Sequence, residues 1–264
     1  MSLRISTVLL LLLVACRPDT TDLNYSFQDS TTHTYRMTAR AEARWDLAGE
    51  GRGSYEVGFD VTETVESVGE DGAVVVVEMV PTGTEEAGLP SPGLERRSFS
   101  LRLGPNGEVL EVLRLDDVEA SDLNQDELAF IGTYRPPLPE QDVALGDRWT
   151  QERQIELGSS LQEIEMRGEL TGFSRDGRLR LARIAFSGEG PLEWITVLPQ
   201  GEAQLTGDAS TSGTALFDIN NGSLQSAISS TRGDFRVRVL PGEGEAPIVG
   251  TLRLDLDLTV ERVS

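Results

Sequence analysis

The sequence predicts a mainly β protein built on one large, curved antiparallel sheet. Apolar and polar residues alternate with a period of two over long stretches, notably 35–45, 55–62, 163–170 and 251–261. This period gives a strand one dry and one wet face, as in antiparallel sheets with one solvated side. Several stretches exceed the usual five or six residues of a strand, which favours a large curved sheet. Dipeptides that form tight hairpin turns occur at Asp71-Gly72, Asn106-Gly107, Asp176-Gly177 and Asn221-Gly222.

Residues 1–15 have the properties of a secretory leader. Arg4 supplies a charged start, and an apolar run near ten residues long ends at Leu13-Val14-Ala15-Cys16. This run is too short for a membrane-spanning helix, which needs roughly 20 apolar residues. The four closing residues resemble the lipobox of bacterial lipoproteins. The resemblance implies cleavage between Ala15 and Cys16, diacylation of the Cys16 sulfur and acylation of the new amino terminus. The alternatives are an ordinary signal peptide and a buried core cysteine.

A lipid anchor places the expected mature protein in the bacterial cell envelope, on the periplasmic face of a membrane. Two or more acyl chains hold a protein stably on a bilayer. Arg17 follows the cysteine, where Asp would favour retention in the inner membrane, so the outer membrane is favoured. Residues 16–33 are polar and lack sustained periodicity, which predicts a flexible tether, and 34–264 form the single β-rich domain.

The net charge limits the classes of partner. The chain of 264 residues carries −21, and removal of Arg4 with the leader leaves 22 basic and 44 acidic residues, or −22. Such a surface repels nucleic acid and anionic headgroups. We therefore expect no nucleic-acid partner, and membrane contact through the acyl chains only.

Two sequence similarities suggest an internal duplication, with repeats at about 34–134 and 149–263. The stretch around Asp71 resembles that around Asp176, and the stretch around Asn106 resembles that around Asn221. They occur in the same order, with offsets of 105 (176 − 71) and 115 (221 − 106) residues. The second repeat is expected to contain an extra loop or strand, and chance similarity between hairpins is the alternative.

One short helix is predicted between the repeats, within 120–134. Ser121 or Asp122 is a suitable N-cap, and Gly132 is a suitable stop. The next segment, 135–150, contains three prolines, which forbid a helix and cannot donate to a sheet. It is predicted to be a rigid extended crossover into the second repeat.

The crossover and a later hairpin resemble a family of bacterial lipoproteins known as a domain of unknown function. The matching residues are Leu138, Pro139, Val143, Leu145, Gly146, Asp147 and Trp149, then Gly213, Phe217, Asp218, Gly222 and Leu224. The resemblance implies an architecture similar to lipoprotein carriers of the LolA and LppX type, a half-barrel with helix packed in its concavity. It implies no catalytic residues.

No set of residues predicts catalysis or a metal site. His33, the sole histidine, is expected to be a solvated residue at the end of the tether, and Cys16 is consumed by lipid. Serine triads and His/Cys zinc sites therefore lack their components. The carboxylate pairs Asp255/Asp257 and Asp116/Asp117 fall on wet faces. We expect neither an enzyme nor a cofactor.

The curved apolar face suggests a binding function. A short helix covers little of such a face, so a hydrophobic or lipid ligand could occupy the remainder. The candidate pocket residues are Trp45, Phe59, Phe130, Trp149 and Trp194. In the alternative, side chains fill the interior. A second function is a structural or assembly lipoprotein that recruits an envelope protein, and a third is a carboxylate-dependent hydrolase.

Overall fold

The described part of the chain forms one open antiparallel sheet of twelve strands. The computed structural model describes residues 19–47, 49–88, 95–116, 118–119, 134–157, 160–198, 201–240 and 246–263. The strands are β1 Thr32–Asp46, β2 Glu50–Gly69, β3 Gly72–Ala87, β4 Arg97–Leu103, β5 Val109–Leu115, β6 Val118–Glu119, β7 Arg148–Leu157, β8 Ser160–Asp176, β9 Leu179–Leu198, β10 Gly201–Asp218, β11 Ser223–Leu240 and β12 Ile248–Arg262. The predicted fold class is confirmed. The predicted helix lies outside the described residues, apart from Tyr134.

The sheet consists of two meanders joined through the first and last strands. Its order is β6-β5-β4-β3-β2-β1-β12-β11-β10-β9-β8-β7. Each half of the chain therefore contributes six consecutive strands, and the described part of the second half has no extra strand. The hairpins β2–β3 and β4–β5 occupy the same places in the first meander as β8–β9 and β10–β11 in the second. These are the hairpins whose sequences resemble each other.

Glycine occupies each predicted tight turn for a conformational reason. The φ angles are 144° at Gly72, 77° at Gly107, 57° at Gly177 and 55° at Gly222. Positive φ is costly for residues that carry a Cβ and readily adopted by glycine. The turn prediction is confirmed at all four positions.

The sheet curves toward its dry face. Leu101 on β4 and Ala215 on β10 belong to one buried cluster, although six strand positions separate their strands. At about 4.8 Å between neighbouring strands, a flat sheet would hold these strands roughly 29 Å apart. Bulges in β2–β3, β4–β5, β8–β9 and β10–β11 bend the strands and help the sheet to curve.

Two extended segments, 19–31 and 134–147, cover one end of the concave face. They pair where the Thr21 N–H donates to the Val143 carbonyl (2.8 Å) and the Val143 N–H donates back (3.0 Å). Leu23 and Leu138 are each 1% exposed and pack into the same cluster. The crossover is irregular and extended, as its prolines predict. Residues 19–31, however, do not form the expected free tether, because they are packed into the body of the protein.

The segment 19–31 is held by both halves of the chain at equivalent turns. The Tyr25 N–H donates to the Pro105 carbonyl (2.7 Å) in the β4–β5 turn. The adjacent Ser26 N–H donates to the Gly222 carbonyl (2.9 Å) in the β10–β11 turn. Equivalent hairpins of the two meanders therefore bind consecutive residues of the segment 19–31, which we call the strap.

Replacing Gly168 with alanine is expected to destabilise this end of the sheet. Trp149 on β7 lies across Gly168 on β8, and a Cβ there would be 2.2 Å from the indole. The ring is fixed because its N–H donates to the Pro137 carbonyl (3.1 Å). We expect a loss of about 1–3 kcal/mol in the free energy of unfolding, as for other overpacked cores. Urea unfolding measures it.

Gly172 on the same strand is the matched control, since a Cβ there meets nothing within 4 Å. Gly172→Ala is expected to be neutral or slightly stabilising. Equal effects of the two changes would contradict the role assigned to the Trp149 ring.

Candidate functional site

A buried polar cluster lies on the concave face beneath the two covering segments. At its centre is Glu63 of β2, whose carboxylate accepts hydrogen bonds from the Tyr134 hydroxyl and the Arg135 guanidinium. Glu63 is 6% exposed and Arg135 is 3% exposed. Burial is the largest single influence on the pKa of Arg135 and would lower it, but the Glu63 carboxylate and the neighbouring tyrosines together outweigh burial and raise that pKa. Glu63 and Arg135 therefore form a buried, charged pair.

The opposite meander supplies a second cation. Arg153 of β7 donates from Nη1 to the Arg135 carbonyl (2.8 Å), and its Nε is 3.3 Å from the Gln151 side-chain oxygen. Burial, together with the positive charge of Arg135, lowers the pKa of Arg153 to about 10. Within the described chain an ion pair is found for Arg135 but none for Arg153. The cluster therefore contains one more positive than negative charge among these three groups.

Several hydrogen-bonding atoms of the cluster have no partner. Within the described residues, the buried side-chain atoms without a hydrogen bond are Tyr25 Oη, Arg135 Nη1, Gln151 Nε2 and Arg153 Nη2. All four belong to this cluster. The Arg135 Cζ is 5.9 Å from the centroid of the Tyr25 ring, and burial raises the Tyr25 pKa above its ordinary range. The tyrosine hydroxyl therefore keeps its proton and can donate.

His33 borders the cluster and is not the solvated residue that we predicted. It lies in β1 opposite Glu63, and its Nδ1 is 2.9 Å from the Arg262 guanidinium. Since arginine can only donate, Nδ1 is the acceptor. Burial and Arg262 both lower the His33 pKa, so the imidazole is held neutral.

The other end of the sheet opens into a cleft of about 1030 Å³. Trp45, Phe235 and Leu252 form its apolar lining. Around them lie charged residues that neighbour them in the sequence and therefore point to the other face of their strands. The segments 19–31 and 134–147 pack at the far end of the concave face and do not reach this cleft.

A track of leucines on β12 connects the cleft with the polar cluster. Leu252, Leu254, Leu256 and Leu258 point to the concave face, and all four are half-buried. Leu254, Leu256 and Leu258 lie opposite alanines of β1, whereas Leu252 lies opposite Trp45. From Leu252 to Arg262 the strand spans roughly 33 Å at about 3.3 Å per residue. The concave face thus carries an apolar strip with an arginine-rich cluster at one end.

The predicted pocket residues whose side chains are described lie in three different places. Trp45 lines the cleft, Phe59 packs against the largest core cluster, and Trp149 packs beside Leu170. Phe130 lies outside the described residues, as do Ala15 and Cys16. Trp194 belongs to β9.

Asp255 and Asp257, one of the acidic pairs considered for catalysis, lie on the wet face of β12 as predicted, and Asp117 of the other pair lies outside the described residues. Asp255 accepts a hydrogen bond from Arg232 (2.7 Å), which lowers its pKa. Asp257 accepts one from Ser230. Among the described residues no group of His, Cys, Asp and Glu could hold a metal ion. In the same part of the chain, no helix combines the length and apolar character needed to cross a membrane.

The sequence contained a signal for the polar cluster that our interpretation missed. Glu63 lies on the dry phase of β2 between Val61 and Val65. Arg153 likewise lies on the phase that Trp149 occupies in β7. A charged residue in phase with apolar neighbours marks a buried charge, which requires a partner.

The chain matches no protein-family model and no curated protein. Its function is therefore inferred from its own residues and geometry.

Proposed function

We propose that the mature chain is a lipid-anchored protein of the bacterial cell envelope that holds a hydrophobic or lipid ligand on its concave face. Cys16 is the proposed attachment point of the anchor, with cleavage after Ala15. The outer membrane is the preferred location because Arg17 follows the cysteine.

The observation that supports ligand binding is the uneven cover of the concave face. The described covering segments occupy one end, whereas the leucine track of β12 is half-buried and leads to a cleft of about 1030 Å³. Sites for drug-sized ligands have volumes of roughly 300–1,000 Å³ and a mainly apolar lining. Trp45, Phe235 and Leu252 provide an apolar patch at the open end, although most of the other residues that line the cleft are charged.

One purification tests both parts of the proposal. Native mass spectrometry of the full chain, expressed in a bacterial host and isolated in mild detergent, is expected to show an acylated Cys16 terminus and co-purified lipid. Leu254→Arg places a charge in the middle of the leucine track. We expect it to reduce the co-purified lipid about tenfold or more, because a charge without a partner is costly beside an acyl chain.

Val249→Arg provides the matched control, since Val249 is on the same strand but 61% exposed. It is expected to leave the amount of bound lipid unchanged. An unprocessed terminus would refute the anchor. Absence of lipid from the wild-type protein, or equal lipid in both variants, would refute the concave binding site.

A structural or assembly role is the second candidate, supported by one edge of the sheet. Strand β7 is ten residues long and, within the described chain, pairs only with β8. An open edge can add a strand from another protein. A stoichiometric protein partner in the same mass spectra, with no lipid, would favour this role.

A further inference from the structure

We propose that the buried polar cluster is an oxyanion site, and that the ligand on the concave face is an acidic amphiphile whose headgroup binds Arg135, Arg153 and Gln151. This inference rests on the proposed function, since it assigns the chemistry of the same ligand. The acidic group is a carboxylate or a phosphate, which share the acceptor oxygens that the site requires.

The unpartnered atoms identify the ligand as an acceptor. Arg135 Nη1, Arg153 Nη2 and Gln151 Nε2 are N–H donors, buried and without a hydrogen bond within the described chain. Buried donors are almost always satisfied in proteins, so a concentration of unsatisfied ones indicates a missing group. An alcohol or amide could meet one or two of these donors. A carboxylate or phosphate offers enough oxygens for all three.

The charge of the cluster identifies the ligand as an anion. Glu63 is already engaged by Tyr134 and Arg135, and it balances only one of the two guanidinium groups. Glu108 also favours the charged form of Arg153 and raises its pKa, but no ion pair joins these two side chains within the described chain. A buried cation without a partner is costly, and a bound anion would remove that cost. The molecule as a whole is strongly acidic, so this positive interior is a local arrangement.

The position of the cluster relates the headgroup to an acyl chain. Arg262 at the end of β12 borders the cluster through His33, and the leucine track runs along the same strand toward the cleft. An amphiphile with its acid at Arg153 would place its chain along Leu258, Leu256 and Leu254. The covering segments would then exclude water from the ion pair, which strengthens it.

The test compares ligands that differ only in the headgroup. The mature chain carrying Cys16→Ser, which lacks its own acyl chains, is titrated with dodecanoate, dodecyl phosphate, dodecan-1-ol, acetate and inorganic phosphate by calorimetry. We expect either acidic amphiphile to bind about tenfold or more tightly than the alcohol, since hydrogen bonds to charged groups are the strong ones. The two free anions are expected to bind at least tenfold more weakly than the amphiphiles.

Arg153→Met tests the site itself. Arg153 has no ion pair to break, and its replacement by an apolar side chain of similar length removes the cost of burying an uncompensated charge, so this variant is expected to fold. It should lower the preference for acid over alcohol to about threefold or less while leaving the affinity for the alcohol unchanged. Arg148→Met, an exposed residue of the same strand paired with Glu169, should keep the full preference.

The outcomes separate the two proposals. Equal binding of acid and alcohol would refute the oxyanion site and leave the hydrophobic site intact. Failure of every dodecyl ligand to bind would refute the proposed function. Tight binding of acetate or phosphate alone would show that a free ion, and not a headgroup, occupies the cluster. A preference that Arg153→Met does not change would place the anion elsewhere.

Discussion

Glu63→Gln is expected to destabilise the protein by about 3–5 kcal/mol, the cost of leaving one member of a buried ion pair without its partner. Glutamine has nearly the shape of glutamate but no charge, so it leaves the buried Arg135 guanidinium uncompensated. The Tyr134 hydroxyl also loses its charged acceptor. Urea unfolding followed by tryptophan fluorescence measures the change in the free energy of unfolding.

Glu78→Gln is the matched control, because Glu78 of β3 pairs with Arg96 at 2.8 Å in an exposed position. An exposed ion pair contributes at most about 1 kcal/mol. The double variant Glu63→Gln with Arg135→Met should recover part of the loss, since it removes the uncompensated charge. A loss for Glu63→Gln no larger than that for Glu78→Gln would contradict the buried pair.

Phe217→Ala is expected to cost about 3–5 kcal/mol, the usual range for deleting a buried aromatic ring. Phe217 is 0% exposed and lies at a bulge in the β10–β11 ladder. Its ring meets that of Tyr25 edge-on, with centroids 5.3 Å apart. The change therefore removes core volume and also the aromatic contact that holds the strap 19–31 against the sheet.

Release of the strap 19–31 can be measured separately from the free energy of unfolding, by proteolysis. Chymotrypsin is expected to cut after Tyr25 much faster in Phe217→Ala than in the wild-type chain under native conditions. Phe173→Ala is the control, because Phe173 is 41% exposed and packs only loosely beside Arg180. It should change the free energy of unfolding by no more than about 0.5–1 kcal/mol. Equal protection of Tyr25 in all three proteins would show that Phe217 does not hold the strap.

The strands and turns could be predicted from local sequence because their determinants are local. The alternation along 35–45 fixes which face of β1 is dry, and Asn221-Gly222 fixes a turn within a few residues. The pairing of β1 with β12 was not predictable in this way. It joins Tyr35 to Arg262 across nearly the whole chain, and no local pattern specifies such a partner.

The burial of the strap and of the polar cluster was not predicted because it depends on residues that are distant in the sequence. Leu23, Tyr25 and Phe27 alternate with polar residues, but the run is only five residues long and lies in a polar stretch, so it does not predict a structured segment. Leu23 and Tyr25 are buried because two distant hairpins and the crossover surround them. Glu63 and Arg135 are similarly far apart in sequence, and only the curvature of the sheet brings them together. The one local signal for this pair was the charge of Glu63 on the dry face of β2, in phase with Val61 and Val65.

The junction between β1 and β12 constrains how the chain can be assembled. Synthesis supplies residue 35 first and residue 262 nearly last, so hairpins within each meander can close long before the two halves are joined. Until then one long edge of β1 has no partner strand, and such an edge can pair with another molecule and cause aggregation. Arg36, Arg40 and Arg44 stand along the wet side of that edge. Arg36 and Arg40 lie opposite Glu261 and Asp257 of β12, so these charges favour pairing of the edge with the chain's own last strand.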